Sequence, residues 1–404
     1  RKDDAFRIAQ RALSRLPSEA AIGKLATETA IAAGRIDDAA SSALAWRKMA
    51  SAEPFEVDVA RATIELVQRD PGHGFELLRP IAREIITRST DGAALRTLVA
   101  CAVLSGRFDE IRADLALVPK SRRGEIVSAW LEAAQVLPID RAMVAVDAVS
   151  GLAEGDAVAT AACIAAWTGM CRAGDAAACA KAETALASFE SDLVPRAILA
   201  ADLTAARGDH AGALALYRAQ FEPVFARFAS DPRAELPALA SRAAGDAALI
   251  DALRRTPVAI VALNNAADTL LSAGGTASPG GTSSPGGAAE AVHLATIALA
   301  AIPGAPEAID TLVRALAADQ RFAEALAAAN GNPDPVLSAI EVAEVELARK
   351  STAEARRALA RADARIQASF APTRTLAERM QRLQAAISEA LADDSAHANE
   401  RNER

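Results

Sequence analysis

Gly208-Asp-His-Ala-Gly-Ala213 recurs along the chain. Close copies stand at Gly34-Arg-Ile-Asp-Asp-Ala39, Gly106-Arg-Phe-Asp-Glu-Ile111 and Gly174-Asp-Ala-Ala-Ala-Cys179. Weaker copies are Gly245-Asp-Ala-Ala-Leu-Ile250, Gln320-Arg-Phe-Ala-Glu-Ala325 and Lys350-Ser-Thr-Ala-Glu-Ala355. Gly34 to Gly106 is 72 residues, two steps of 36, and Gly106 to Gly174 is 68, two steps of 34. Gly174 to Gly208 is 34 again. The skipped steps fall near Asp70 and Asp140, beside Pro71 and Pro138. A fixed period of this length marks a repeat array.

Each phrase lies between two helical patterns. Ile22, Leu25, Ala26, Thr29 and Ala33 keep a helical period ahead of Gly34, and Ala39, Ala43, Trp46 and Ala50 keep it after. Glycine supplies the left-handed residue that ends the first helix, and the next Asp or Arg opens the second. Small residues at Ala39, Ala213, Ala325 and Ala355 let the two helices approach closely. Prolines such as Pro17, Pro54, Pro303 and Pro333 close units, because proline cannot continue a helix.

This spacing and turn phrase resemble the tetratricopeptide repeat family, whose units are helix–turn–helix hairpins. Gly34, Ile36 and Ala39 match its pattern, as do Gly208, Ala213 and Tyr217, and Phe322 with Ala325. Ile111 and Cys179 stand where the pattern has a small Ala, and most of its aromatics are missing. The resemblance covers the chain to about residue 365. It implies an all-α fold, a right-handed α-solenoid of helix-turn-helix repeats with a C-terminal capping helix. The expected division is the second helix of a truncated repeat at 1–17, repeats over 18–273, a flexible Gly/Ser/Pro-rich insertion at 274–287, repeats over 288–366, a capping helix at 367–393 and a disordered tail at 394–404. The capping helix carries an apolar stripe of Leu376, Met380, Leu383, Ala386, Ile387 and Leu391. Because the chain opens mid-repeat at Arg1, the expectation is a fragment of a longer array, with any targeting sequence upstream.

Composition agrees with closely packed helices. Of 404 residues 105 are Ala, while aromatics make up only 3%, which argues against a sandwich or barrel. Lys+Arg number 44 against 52 Asp+Glu, a net charge of −8. A general nucleic-acid binder needs a basic excess, so that role is disfavoured. The chain has six Lys against 38 Arg, which with the Ala excess points to a GC-rich bacterial genome. No apolar run is long enough to span a membrane. The expected setting is soluble, in a bacterial cytoplasm or periplasm.

Residue types that carry chemistry are sparse. Neither the four Cys nor the four His form a CxxC, an HExxH or a Cys/His cluster, so no metal site is expected. Cys163, Cys171 and Cys179 read as small core residues; a Cys171–Cys179 disulfide could cross a helical hairpin, but nothing in the sequence requires it. No GxSxG, Walker A or strand-borne GxGxxG motif occurs, so neither catalytic nor cofactor-binding residues are assigned. Paired acids such as Asp37-Asp38 fall at helix starts, where they favour the positive end of the helix dipole.

The resemblance also implies that first helices line a concave groove. Its register places Lys24, Glu28, Arg96, Trp130, Asp202, Asn264, Asp268, Asp310 and Arg314 there as candidate partner-binding residues. Asn264-Asn265 sits mid-helix, where Asn is a poor helix former, and a paired amide could clamp the backbone of an extended peptide. The expected function is a non-catalytic scaffold that binds a protein or peptide partner in the groove. Two alternatives are a substrate-selecting helical domain of a larger enzyme whose catalytic domain lies upstream, and an envelope assembly factor in secretion or polysaccharide export.

Overall fold

The computed structural model describes residues 2–87, 92–115, 117–119, 122–274, 285–367 and 372–402. Helices, turns and loops account for all of them, with no strand among the described residues. The chain is an all-α array of tandem helical hairpins, grouped into two compact units. The first comprises Arg1–Cys163 with Ile366–Thr375, and the second Ile164–Arg365 with Leu376–Arg404.

In the first unit, α1 (Lys2–Arg15) packs on α2 (Ala20–Ala32), which pairs with α3 (Ile36–Arg47). Next, α4 (Pro54–Val67) pairs with α5 (Pro71–Leu78), and a 3-10 turn leads to α6 (Ala82–Thr87). Then come α7 (Gly92–Ser105), the one-turn α8 (Arg112–Leu115), α9 (Arg123–Ala134) and α10 (Ile139–Ser150). First helices α2, α4, α7 and α9 pack in a row, each against the next. The second helix expected after Gly106 is reduced to a 3-10 turn and α8, in the repeat where Ile111 holds the small-residue slot.

α11 (Ala157–Arg172) carries the chain into the second unit, followed by α12 (Ala176–Ala187), α13 (Arg196–Ala206) and α14 (His210–Phe225). Two eight-residue helices follow, α15 (Leu236–Ala243) and α16 (Ala247–Arg254). Beyond them are α17 (Pro257–Gly274), α18 (Pro285–Ala301), α19 (Pro306–Ala318), α20 (Phe322–Asn330), α21 (Pro335–Ala348), α22 (Thr352–Gln367) and α23 (Arg374–Asn402). The short α15 and α16 pack aside against α18, so α17 stacks directly on α14. First helices α13, α17, α19 and α21 therefore form one row, each touching the next.

The turns explain the period. Gly34, Gly106, Gly174 and Gly208 all have positive φ, between 71° and 97°. After each, the following backbone N–H returns five residues to the last helical turn, as in Arg35 to Ala30 at 2.9 Å and Asp209 to Thr204 at 3.2 Å. This is the Schellman closure that left-handed glycine permits. Arg69, Gln320 and Lys350 adopt the same conformation without glycine and make the same closure, to Glu65, Leu316 and Glu346. Arg69 thus fills the first skipped step of the repeat. Gly245 departs from the pattern: its φ is not positive, and Asp246 bonds back only four residues, to Arg242. Asp175, Asp209 and Asp246 cap the helices they precede by accepting backbone N–H groups.

Ala39, Ala213, Ala325 and Ala355 are fully buried, each where the two helices of a hairpin meet. Two readings of the sequence are corrected. Cys171 and Cys179 are not free core thiols; they form a disulfide across the Gly174 turn, with Cα atoms 4.7 Å apart, because the left-handed turn folds α12 back beside the end of α11. The polar tail expected from residue 394 continues α23 to Asn402, since no Gly or Pro after Pro372 interrupts it. Most of the insertion expected at 274–287 lies outside the described residues. No described helix is long and apolar enough to cross a membrane.

Candidate partner-binding face

Because the first helices repeat at nearly constant spacing, a side chain on one meets its counterpart on the next. In the first unit, Lys24 Nζ on α2 pairs with Glu56 on α4 at 2.7 Å, and Thr63 on α4 shares a 3.2 Å hydrogen bond with Thr97 on α7. The partners are 32 and 34 residues apart, close to one period. Glu28 is exposed one turn beyond Lys24. Arg96 is exposed at the rim of a cavity of about 390 Å³, which Thr63, Thr97 and Glu132 also line. Trp130 does not belong to the face: it is 1% exposed, its indole N–H donates to Ala145 O at 2.8 Å, and its ring meets Phe108 edge-on. The large apolar ring takes the core side of α9, which corrects the assignment made from register.

In the second unit the face is a polar string of two segments, one around Asp202 and one around Arg314. Asp202 on α13 accepts from the Tyr217 hydroxyl and from Asn265 Nδ2, the latter at 2.9 Å. Burial pushes the Asp202 carboxyl up, while those two hydrogen bonds pull the other way. Burial, and then the Asp202 charge, push the Tyr217 phenol up as well, so it stays a donor. Asn265 is thus the committed member of the amide pair. Asn264 offers its Nδ2 to Asn265 at 3.5 Å, and its own Oδ1 is buried without a hydrogen-bond partner.

Farther along, Arg314 on α19 pairs with Asp268 on α17 at 2.8 Å and with Asp310 one turn behind it at 3.2 Å. Asp310 also meets Arg379 of α23 at 2.7 Å. Arg379 grips Glu344 of α21 through two hydrogen bonds, of 2.7 and 2.6 Å. Burial opposes the Arg379 charge, but Glu344 and Asp310 outweigh it and hold the guanidinium pKa above its ordinary value. Beside this string, Glu341 is completely buried and accepts from Asn332 Nδ2 at 2.6 Å, while its Oε2 has no hydrogen-bond partner. Burial, and then the Asp310 charge, push the Glu341 carboxyl up to about 8.

The register therefore finds Lys24, Asp202, Asn264, Asp268, Asp310 and Arg314 on first helices. The structure ties four of them, Lys24, Asp202, Asp268 and Arg314, into contacts between repeats, while Asp310 meets Arg314 on its own helix and Arg379 of α23. The register misses Tyr217, Glu341, Glu344 and Arg379, and Asn265 enters it only as the neighbour of Asn264. Glu341 and Glu344 carried a signal, two acids inside the apolar run Ala339-Ile-Glu-Val-Ala-Glu-Val345. Arg379 carried none, since nothing local says what α23 lies against.

Among the described residues, Glu65, Asp70 and His73 bring potential metal-ligand atoms within 4.8 Å of one another. Asp70 there accepts the His73 backbone N–H at 3.0 Å, which makes it the N-cap of α5.

No protein-family model matches the chain, and no curated protein matches it. Solved structures overlap it, these three among them. The crystal structure of yeast Tom70 spans 100% of this chain and 96% of its own, at 11% identity and TM-score 0.35. Naa15/Naa10 bound to HypK-THB spans 89% and 60%, at 14% identity and TM-score 0.28. The P58(IPK) TPR domain spans 90% and 97%, at 16% identity and TM-score 0.23. The fold of this chain, an all-α array of tandem hairpins, rests on its own turns and helix pairing.

Proposed function

We propose that the chain is a non-catalytic scaffold that receives a protein segment along the row α13, α17, α19 and α21. The observation behind this is the set of polar contacts between successive first helices, Asp202 with Asn265 and Asp268 with Arg314. Asn264 Oδ1 adds an acceptor without a hydrogen-bond partner on that face. A partner recovered from the native host by pull-down would be titrated by calorimetry. Asn264→Ala and Arg314→Glu should each weaken binding by roughly tenfold or more, and Arg361→Glu on α22 should not. The reading fails if the α22 substitution weakens binding while both first-helix substitutions leave it unchanged.

The Cys171–Cys179 disulfide favours an exported or envelope setting, since such bonds persist in oxidising compartments. Thiol trapping in the native host, followed by peptide mass analysis, should recover the two cysteines linked.

A further inference from the structure

The string on the first-helix face ends on a residue that belongs to no repeat. Arg379 comes from α23, and its side chain is 16% exposed between Asp310 and Glu344. Two parallel hydrogen bonds to Glu344 and a third contact to Asp310 make this a shaped guanidinium site rather than a surface ion pair. Without α23, three carboxylates, Asp268, Asp310 and Glu344, would face a single guanidinium, Arg314. Glu341 lies fully buried beside them and would add to the acidic excess once ionised. A site of that charge needs a cation.

The apolar side of α23 is seated less completely. Leu383 and Ile387 are buried, but Leu376, Met380 and Leu391 are only half-buried. A cavity of about 500 Å³ remains between α22 and α23, lined by Leu359, Ala360, Met380, Gln384 and Ile387 among others. At its start α23 is also fixed by Arg374, whose backbone N–H donates to Gln135 O at 2.7 Å and whose Nη1 donates to Leu137 O at 3.1 Å. Beyond it, the charge pairing of Arg379 is specific while the apolar side is only partly seated.

We propose that α23 is an intramolecular guest in an arginine-recognition site built by α17, α19 and α21, and that the partner of this face is an amphipathic helix presenting an arginine in the position of Arg379. The proposal rests on the scaffold reading above and adds its partner chemistry and its regulation: the partner helix displaces α23.

The test uses the full chain and a fluorescent peptide of residues 374–392 as the probe. Leu383→Asp with Ile387→Asp should release α23 in cis, and the peptide should then bind at least about tenfold tighter than it binds the wild type. A peptide carrying Arg379→Ala should lose roughly tenfold or more against the same released chain. Absence of gain, or a gain indifferent to the arginine, overturns the proposal. Should the released chain not fold, Arg379→Ala in the full chain is read by hydrogen exchange. Protection of α23 should then fall by about tenfold while α19 and α21 keep theirs; unchanged α23 protection overturns it equally. If the peptide experiment fails while Asn264→Ala and Arg314→Glu still weaken the recovered partner, the scaffold reading stands and only the guest site is lost.

Discussion

Asn265 on α17 donates a 2.9 Å hydrogen bond to Asp202 on α13, 63 residues earlier, and Asp202 accepts the Tyr217 hydroxyl with the same oxygen. The bond spans the chain length of two hairpins, yet it joins neighbouring first helices, because α15 and α16 are displaced to the side. Asn265→Ala leaves a half-buried carboxylate with one donor fewer, so stability should fall by ~1–3 kcal/mol in a urea titration. Asn264→Ala, next in sequence but outside this bond, should lower it less. Equal losses would mean that Asp202 draws nothing from α17.

Ala213 is fully buried where α13 meets α14, and Ala215 is exposed two residues on. Ala213→Leu should overpack the hairpin and destabilise by ~1–3 kcal/mol. Ala215→Leu should be nearly neutral. An unchanged denaturation midpoint for the first variant would displace the register around Gly208.

Lys350 holds a left-handed conformation, φ 65°, that disfavours any side chain with a Cβ. Lys350→Gly should therefore stabilise the α21–α22 hairpin, by ~0.5–1 kcal/mol. Gly208→Ala should destabilise by about 1 kcal/mol, through backbone strain alone. A Cβ there would meet nothing within 4 Å. Calorimetric melting of both variants against the wild type reads the two opposite signs.

The disulfide offers a cleaner perturbation. Cys179→Ser should lower stability by ~2–3 kcal/mol, the loop entropy released by so short a closure. Reductant should shift the wild-type midpoint by a comparable amount and leave the variant where it is. A reductant-insensitive wild type would show the bond absent in solution.

Glu341, raised to about 8 by burial, keeps its proton in the folded chain to a higher pH than in the unfolded one. Its contribution to stability is therefore greatest below the ordinary glutamate range and declines as pH rises towards 8. Glu341→Gln removes that decline. Relative to the wild type, the variant should gain ~1–3 kcal/mol at about pH 8.5 and little at about pH 5. Denaturation midpoints that differ equally at both pH values would assign the effect to packing.

The sequence by itself determined the repeat, because the turns are local. A left-handed residue, a capping Asp and a small residue four or five positions on act within one hairpin, so Gly174 and Gly208 announce it without reference to the rest of the chain, and Gly34 does so without the Asp. Even the turns at Arg69, Gln320 and Lys350 keep the following helix start, which is why the period survives the loss of glycine. The first-helix register was legible for the same reason: helical periodicity puts Asp202, Asp268, Asp310 and Arg314 on one side of their helices.

Only the tertiary structure decided which of those side chains meet. Trp130 holds a groove-register position of α9, but the hydrophobic gain from burying its ring turns it to the core. Asp202 finds Asn265 only because α15 and α16 step aside, and helices that short do not declare whether they stack or stand apart. Arg379 is the extreme case. Its partners Asp310 and Glu344 lie 69 and 35 residues earlier, and no local preference of α23 encodes them. Charge pairing and burial over such distances depend on where the whole array places its faces, and that placement exists only once the chain has folded.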